Sequence, residues 1–410
     1  MRKKSLDKGL IRKYGSPLFV LDKEKLVSNF EKINTEFNKL FPTIVAYSYK
    51  TNYLPFICHS LHKVGAYAEV IPGFEFEIAK KIKVPGEKII VNGPYKPECE
   101  LISIIQYGCK INVDNIFELR DIIGIANKFN ITIEIGLRVN INVGSKIIWN
   151  KFGFNLENGE AQQIVDFISK LNNIKIIGLH THIGTNITDV ALYSKATNHI
   201  VDFYLKNVDK IDLKYLDIGG GFCTEMNGLE TLGYQSKTKF PCIKDYAHAI
   251  CNIIIDKLGK SKEIVLIIEP GRAIIDDAMC LLTTITAIKN IFDVHSIFID
   301  AGVNIIPSSY YRKHSIELIS DSKEKPIITD IYGPLCMQVD LIDSGIYLPK
   351  ATVGNILKIG TCGAYELSHS IQFIRTRPAV VAIEKSGIDL IRRKENPEDV
   401  ISLDNWELLK

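Results

Sequence analysis

The sequence predicts an α/β fold, with a (β/α)8 TIM-like barrel and a second, mostly antiparallel β domain. Eight short apolar, β-branched runs lie between Thr43 and Glu269, and most are followed by a helix-permitting segment. Strands that are apolar on both faces and alternate with helices are typical of a parallel sheet covered by helices. Eight such units match the barrel. After Arg272 the strand-like runs are separated by turns with little helix, which indicates the β domain.

The barrel elements can be assigned in chain order. The eight runs are Thr43–Ser48, Ala66–Ile71, Lys88–Asn92, Cys109–Val113, Thr132–Asn140, Lys175–His182, Lys214–Gly219 and Ile264–Glu269. We expect the barrel to occupy residues 24–275. A doubly wound sheet is the alternative, and it would need fewer strands.

The second domain is expected from residues 1–23 and 276–410. Its strand-like runs are Ala278–Ile288, Ser296–Ile299, Lys325–Tyr332, Ile356–Ile359 and Ala379–Glu384. The early segment Pro17–Leu21 precedes the first barrel strand, and we expect it to pair with this second domain.

The composition is that of an ordinary globular protein. Of the 410 residues, 46% are hydrophobic and 24% charged, and the net charge is only +3. No basic patch dominates, so nucleic acid is not a favoured partner. No apolar run is long enough for a membrane-spanning helix, and no apolar stretch follows the charged N-terminus, so neither a membrane location nor a signal peptide is expected. The nine cysteines are scattered without a CxxC pair, which predicts no metal site and a reduced, cytoplasmic protein.

Lys50 is the most informative single residue. It follows the apolar run Thr43–Ala46 within Tyr47-Ser48-Tyr49-Lys50-Thr51-Asn52, at the C-terminal end of a predicted buried strand. We expect partial desolvation there to lower the pKa of the lysine, since burial disfavours the ammonium. A neutral amine is what Schiff-base formation needs. The alternative is a lysine that simply ends a strand at the surface.

Polar residues also follow the other predicted barrel strands, where the chemistry of such barrels collects. They are Glu69, Arg138, Asn140, His180, His182, Thr185, Asp217, Gly219, Gly220, Gly221, Glu269, Gly271 and Arg272. Each could be an ordinary residue at a barrel rim. Together they favour a functional site.

Several of these motifs have both a chemical and a structural interpretation. Three consecutive glycines after a strand expose backbone N–H groups that suit a phosphate, although a tight turn would look the same. Glu269 could face a ring nitrogen and keep it protonated, or form an internal ion pair with Arg272. His182 could stack on a ring or handle a proton, or be structural. Cys336 and Tyr365 each follow a glycine-containing turn, which carries little weight alone.

A phosphate cradle, a Schiff-base lysine and a carboxylate for a pyridinium together describe a pyridoxal 5'-phosphate (PLP) site. The chain resembles the fold-type III PLP-dependent decarboxylases from Pro17 to about Asp399. The motifs that carry this resemblance occur in the order YSYKTN, HTHIGT, DIGGGF, EPGR, GPLC and GAY. The nearest group is the diaminopimelate decarboxylase and ornithine decarboxylase family. The resemblance implies an alanine racemase-like fold, a small amino-acid substrate and a head-to-tail homodimer with shared active sites.

The resemblance also implies roles for individual residues. Lys50 matches the Schiff-base lysine, His182 the histidine stacked on the cofactor ring, and Cys336 the cysteine from the partner subunit that handles the proton at Cα. The residues that match cofactor contacts are Lys50, Glu69, His182, Thr185, Gly219, Gly220, Gly221, Glu269, Gly271, Arg272 and Tyr365. The substrate positions are Arg272, Tyr310, Met337, Asp340 and Tyr365. Glu69 stands where the family usually has aspartate, and Thr185 where it has serine.

Two departures from the family concern the substrate. Met337 follows Cys336, where diaminopimelate decarboxylases have a glutamate for the distal amine. Ile306 precedes Pro307, where the family has an arginine in a longer segment. Leaving the distal charges of diaminopimelate without partners in a closed site would cost several kcal/mol. We therefore expect poor activity on meso-diaminopimelate, unless Gln338, Arg312 or Lys313 replaces the lost contacts.

The predicted function is PLP-dependent decarboxylation of an amino acid or an amino-acid conjugate. One alternative is a genuine meso-diaminopimelate decarboxylase of lysine biosynthesis. A second is an amino-acid racemase, which would pair the ring nitrogen with arginine rather than with a carboxylate such as Glu269. A third is a non-catalytic PLP-binding protein, which would resemble the barrel alone and lack the region of Cys336 and Tyr365.

Overall fold

The computed structural model describes residues 2–145, 149–224, 240–260, 263–319 and 325–409. The helices are α1 (Arg2–Tyr14), α2 (Lys23–Asn38), α3 (Pro55–Lys63), α4 (Phe74–Lys81), α5 (Glu98–Gln106), α6 (Ile116–Phe129), α7 (Glu160–Ile168), α8 (Ala191–Leu205), α9 (Ile243–Leu258), α10 (Arg272–Ile275) and α11 (Pro397–Ile401). The strands are β1 (Leu18–Asp22), β2 (Thr43–Ser48), β3 (Tyr67–Val70), β4 (Ile89–Val91), β5 (Lys110–Val113), β6 (Ile133–Asn140), β7 (Phe154–Asn155), β8 (Ile174–His180), β9 (Tyr215–Asp217), β10 (Val265–Ile268), β11 (Met279–Ile291), β12 (Val294–Ile299), β13 (Ile316–Ile319), β14 (Pro326–Tyr332), β15 (Leu341–Pro349), β16 (Ile356–Ile359), β17 (Ala379–Glu384) and β18 (Gly387–Arg392).

The chain forms two compact units. Val27–Thr224 and Lys239–Ile274 make one unit, which we call the barrel unit. Met1–Leu26 and Ile275–Lys410 contribute to the other, the β unit. Among the described helices, none combines the length and the apolar character needed to cross a membrane.

The barrel unit contains the predicted closed parallel barrel. Its strands pair in the order β5-β4-β3-β2-β10-β9-β8-β6, and β5 also pairs with β6, which closes the ring. All of these pairings are parallel. Each of the eight predicted strand runs overlaps one of these strands, so the barrel prediction is confirmed. The parallel direction brings the C-terminal ends of all eight strands to one face of the barrel.

Tyr215 fills the centre of the barrel. A side chain at Gly136 would meet the Tyr215 hydroxyl at 2.1 Å, and one at Gly178 would meet its ring at 2.0 Å. Glycine is therefore required at both positions to admit the tyrosine ring. The buried hydroxyl donates to Oδ1 of Asn112 at 2.8 Å, so its polar end is satisfied.

The β unit is built on a mostly antiparallel sheet, as predicted. The sheet runs in the order β15-β14-β12-β11-β1-β17-β18, and β16 joins β11 to β13. The early segment does contain a strand, β1, which pairs antiparallel with β11 and parallel with β17. A second parallel pair joins β12 to β14.

Sequence reasoning missed five of the helices and strands described in the β unit, namely α1, β13, β15, β18 and α11. In α1 the apolar residues are sparse among lysines and arginines, yet Leu10 is buried in a cluster with Val20, Leu282 and Val381. Strand β15 is interrupted in sequence by Asp343-Ser344-Gly345, and its pairing with β14 shifts register there. Short or interrupted apolar patterns of this kind are weak signals on their own.

Candidate active site

Lys50 lies in a single 3-10 turn, Tyr49–Thr51, that directly follows β2. Its Nζ lies 2.6 Å from Oε2 of Glu69 on β3, and 41% of the lysine side chain is exposed. The lysine side chain is thus partly buried, and the expected lowering of its pKa stays a prediction. The turn carries the amine beyond the strand end toward solvent, and the Glu69 carboxylate stabilises its positive charge.

Glu69 is fully buried and carries several hydrogen bonds. Its Oε2 accepts from the Ser48 hydroxyl and from Lys50, and its Oε1 accepts from the Asn92 amide at 3.1 Å. Burial by itself would raise the pKa of Glu69, but the Lys50 charge and these three hydrogen bonds outweigh it, and the net shift is downward. Glu69 is therefore held as a carboxylate beside the lysine.

Asn92 joins this pair to Glu269. Its side-chain amide donates to Oε1 of Glu269 at 2.6 Å as well as to Glu69. Its own oxygen accepts from the Asn112 amide at 2.9 Å. Sequence reasoning missed Asn92, although it directly follows β4 just as Glu269 directly follows β10.

Glu269 follows β10 and is almost fully buried. The pKa of Glu269 is raised to about 7, and burial is the largest cause. The negative charge of Glu69 adds to the upward shift, while the charge of Lys50 and hydrogen bonds from Asp217 and Asn92 oppose it. Burial and then the charge of Glu269 raise the pKa of Asp217 well above its ordinary range. The two carboxyl groups therefore retain a proton between them to higher pH than either would in water.

His182 follows β8 and is held in a neutral form. The Gly220 N–H donates to its Nδ1 at 3.1 Å, and the Trp149 ring packs on it with centroids 6.0 Å apart in an edge-on arrangement. Desolvation, followed by the charges of Arg138 and Lys50, lowers its pKa to about 3. With Nδ1 accepting a hydrogen bond, the imidazole is neutral and offers an uncharged ring face to a ligand.

The glycine loop Gly219–Gly221 is packed so closely that no side chain fits. A Cβ at Gly220 would lie 2.2 Å from the Glu269 carbonyl oxygen, and one at Gly221 would lie 2.2 Å from that of Gly184. Gly219 and Gly221 adopt φ of +69° and +90°, which favours glycine. From behind, the buried Tyr193 hydroxyl donates to the Gly220 carbonyl at 2.8 Å. Only the backbone can therefore contact a ligand here.

The remaining predicted contacts of the barrel unit lie at the same strand ends. Thr185 is half-buried after β8, and Arg272, which begins α10, is 9% exposed. A side chain at Gly271 would meet the Thr51 hydroxyl at 1.9 Å, so this position also requires glycine. The barrel unit thus brings together the predicted lysine, histidine, glycine loop and both glutamates.

The other predicted residues belong to the β unit. Cys336 is exposed in the turn that follows β14, and Met337 is half-buried beside it. Asp340 is buried, and its carboxylate accepts from the Val303 and Leu335 N–H groups at 2.8 and 2.6 Å. These bonds hold the loop that carries Cys336, which favours a structural contribution by Asp340.

Tyr310 and Tyr365 also lie in the β unit. Tyr310 is 44% exposed at the end of a 3-10 turn, Pro307–Tyr310. Tyr365 has a φ of +70° and packs against the His369 ring with centroids 5.0 Å apart. A non-glycine residue at positive φ is uncommon, so the loop is held in an unusual conformation at this tyrosine.

Residues 23–276 match the family model for the pyridoxal-binding domain of pyridoxal-dependent decarboxylases. The chain belongs to the pyridoxal-dependent decarboxylase family. Relatives include the diaminopimelate decarboxylase of Aquifex aeolicus, 32% identical over 96% of this chain and 93% of the relative. That of Methanocaldococcus jannaschii is also 32% identical, over 96% of this chain and 92% of the relative.

Solved structures of diaminopimelate decarboxylases are also similar to this chain. The crystal structure of diaminopimelate decarboxylase from M. jannaschii has a TM-score of 0.90 at 31% identity and covers 97% of this chain and 94% of its own. A structure of that enzyme in complex with L-lysine has a TM-score of 0.89. The predicted alanine racemase-like fold is thereby confirmed.

Membership of this family makes the protein a PLP-dependent carboxy-lyase. The racemase and the non-catalytic PLP-binding protein are not favoured, because these relatives are decarboxylases and their alignments cover 96% of this chain, the β unit included.

The residues of the barrel unit fit PLP. The glycine loop offers a backbone surface in which a Cβ at each position would clash, as close approach by a phosphate requires. Buried Glu269 would face the ring nitrogen, and the His182 ring would stack on the cofactor. Lys50 supplies an amine on a partly exposed side chain. This donor set matches the chemical groups of the cofactor.

Proposed function

We propose that this decarboxylase acts on an amino acid whose distal end differs from that of diaminopimelate. The observation that carries the proposal is Met337, which stands next to Cys336 where the diaminopimelate decarboxylases have glutamate. Ile306, at the position of the family's arginine, is fully buried in the β unit and cannot serve as a charged contact. Apolar residues at these two positions favour a neutral, differently charged or conjugated distal group.

The contacts of Arg312 disfavour it as a replacement for the missing substrate contacts. The Arg312 side chain is fully buried, where its two terminal nitrogens contact the Asp276 carboxylate at 2.7 and 3.0 Å and Glu366 at 3.1 Å. An arginine whose charge is already matched by two buried carboxylates is unsuited to bind a substrate carboxylate. Lys313 and Gln338 are exposed and remain available to the alternative, although Lys313 lies 3.2 Å from Asp343.

The chain's own residues support decarboxylation as follows. PLP, when bound, supplies the electron sink for the electron pair that the departing CO₂ leaves at Cα. As a carboxylate, Glu269 would hold a proton on the ring nitrogen and so preserve the positive charge of the ring. His182 would orient the ring through its neutral face. Lys50 would anchor the cofactor and, with Cys336, return a proton to Cα.

We also propose a cytoplasmic homodimer in which Cys336 serves the partner's site. Cys336 is exposed in its unit, and all nine cysteines are free thiols. The test is to mix inactive Lys50→Ala and Cys336→Ala subunits. Random mixing should restore about a quarter of wild-type activity, since half the dimers are hybrids with one intact site in a twofold arrangement. No recovery in verified hybrids would show that each site uses its own cysteine.

Genuine meso-diaminopimelate decarboxylase is the second candidate, and the names of the relatives favour it. The deciding experiment measures CO₂ release from meso-diaminopimelate, ornithine, lysine and N-acylated diamino acids. We expect the highest kcat/KM on a substrate other than diaminopimelate. A value for meso-diaminopimelate of about 10⁴ M⁻¹s⁻¹ or above would overturn the specificity proposal and leave the decarboxylase assignment intact.

A further inference from the structure

Asn92 occupies an unusual position between two acidic side chains. One amide nitrogen lies 2.6 Å from Oε1 of Glu269 and 3.1 Å from Oε1 of Glu69, while the amide oxygen accepts from Asn112 at 2.9 Å. The residue is 4% exposed. Both N–H donors and the acceptor are therefore engaged, and only this orientation of the amide places donors against both carboxylates.

We infer that Asn92 is a positioning residue that separates the two carboxylates and keeps Glu269 ready to contact the cofactor ring. Glu69 pairs with Lys50, so Asn92 also links the lysine end of the site to the ring-nitrogen end. The inference rests on the proposed roles of Lys50 and Glu269. It does not depend on which amino acid is the substrate.

The charges around Asn92 explain why a neutral amide suits this position. The carboxylates of Glu69 and Glu269 repel each other, and Glu69 is the largest charge that raises the pKa of Glu269. The Asn92 amide opposes that shift by donating a hydrogen bond to the ionised form. An acid here would add a third negative charge, and an apolar residue would leave both carboxylates without this donor.

The contacts of Asn92 also extend away from the cofactor site. The Asn112 amide nitrogen, which donates to Asn92, also donates to Oδ2 of Asp217 at 3.3 Å. The Asn112 amide oxygen accepts from the Tyr215 hydroxyl. The amide is therefore anchored to the tyrosine that fills the barrel centre. This anchoring makes Asn92 a rigid support rather than a side chain that adjusts to the ligand.

The test compares Asn92→Ala, Asn92→Ser and Asn92→Asp with wild type in two assays. One measures PLP affinity of protein stripped of cofactor, from about pH 5.5 to 9. The other measures kcat and KM over the same range. Asn207→Ala is the control, since Asn207 is a fully buried asparagine between α8 and β9 that bonds to Gln162 and Phe203 rather than to the site.

For Asn92→Ala we expect about a tenfold weaker PLP affinity, because a charge-assisted donor is lost. In the pH profiles of PLP affinity and of kcat, the acid limb, where each quantity falls at low pH, should move to higher pH. The reason is that Glu269 would hold its proton more tightly. Asn92→Ser, with one donor, should lie between alanine and wild type, and Asn92→Asp should be the most impaired. Asn207→Ala should lower stability without moving either limb.

The inference is overturned if Asn92→Ser, or Asn92→Ala where it folds, keeps both the PLP affinity and the acid limb within about twofold and a few tenths of a pH unit of wild type. Borohydride trapping on each variant separates this result from failure of the proposed site. If the cofactor is not fixed to Lys50 even in wild type, the assigned roles are wrong. If it is fixed to Lys50 while the limb does not move, only the role of Asn92 is wrong.

Discussion

Lys50 Nζ lies 2.6 Å from Oε2 of Glu69, whose side chain is only 1% exposed while that of the lysine is 41% exposed. A buried carboxylate is thus neutralised by a cation that solvent and small molecules can reach. The pair gives the amine a fixed position at the end of β2. It also explains why a glutamate is tolerated where water has almost no access.

The first prediction is that Lys50 carries the cofactor. Borohydride treatment of the PLP-loaded protein should fix the cofactor covalently, and peptide mapping should find it on Lys50. Lys50→Ala should show no covalent label and no turnover, because among the described residues Lys50 is the amine that contacts Glu69. A label on a different lysine in wild type would refute the assignment.

The second prediction concerns Glu269→Gln, which removes the charge that would hold the ring proton but keeps the shape. PLP should still bind, while kcat should fall by about 10²–10³-fold or more, the usual cost of losing a preorganised electrostatic contact. Glu75→Gln is a matched control, because Glu75 on α4 is also buried with a pKa raised to about 7 but accepts only a backbone hydrogen bond from Ile71. Equal turnover in wild type and Glu269→Gln would make the carboxylate structural.

The barrel, and the strand-end positions of most candidate site residues, could be predicted because their signals are local in sequence. Each strand is an apolar run, and Lys50, His182 and Glu269 each lie at or just after the end of one. The contacts of Asn92 could not be predicted in this way, since its partner Glu269 lies 177 residues away and an asparagine after a strand is unremarkable. The same holds for Tyr193, whose helical position gives no hint that its hydroxyl reaches the glycine loop.

The surroundings of Lys50 show a different limit. Its position predicted a partly desolvated lysine, but the sequence does not reveal that a 3-10 turn follows the strand or that Lys50 Nζ donates a hydrogen bond to Oε2 of Glu69. Burial and charge pairing act in opposite directions on a lysine pKa. Which of them prevails depends on distances that a single sequence does not encode visibly.

The third prediction is that Tyr193→Phe weakens PLP binding. The hydroxyl holds the Gly220 carbonyl, so its loss should loosen the loop that would contact the phosphate and raise the PLP Kd by about tenfold. Tyr246→Phe is the control, since the Tyr246 hydroxyl donates to Ile187 and not to Gly220. If both variants change the Kd equally, the effect comes from the aromatic cluster as a whole.

The fourth prediction concerns stability against pH. Burial raises the pKa of Glu75 from 4.5 to about 7, so the folded protein binds its proton more tightly than the unfolded chain does. This contribution to stability is complete below about pH 4.5 and is lost as the pH rises to about 7. Glu75→Gln keeps an acceptor for the Ile71 N–H but cannot ionise.

Glu75→Gln should therefore gain stability relative to wild type as the pH rises from about 5 to 8, by about 1–3 kcal/mol. Denaturant unfolding at several pH values measures this difference. A constant difference across the range would mean that Glu75 ionises in the folded protein as easily as in the unfolded chain.

The last prediction tests the substrate end directly. Met337→Glu restores the carboxylate that the diaminopimelate decarboxylases carry after the cysteine, so kcat/KM for meso-diaminopimelate should rise by at least about tenfold, the value of one charge-assisted contact. Val339→Glu is the matched control, because it adds the same charge to the same loop at a residue that is 54% exposed. If the two variants gain equally, the charge acts by general attraction of the distal ammonium rather than by a contact. If neither gains, the distal site is shaped by residues other than Met337, and the family position does not decide which amino acid this enzyme decarboxylates.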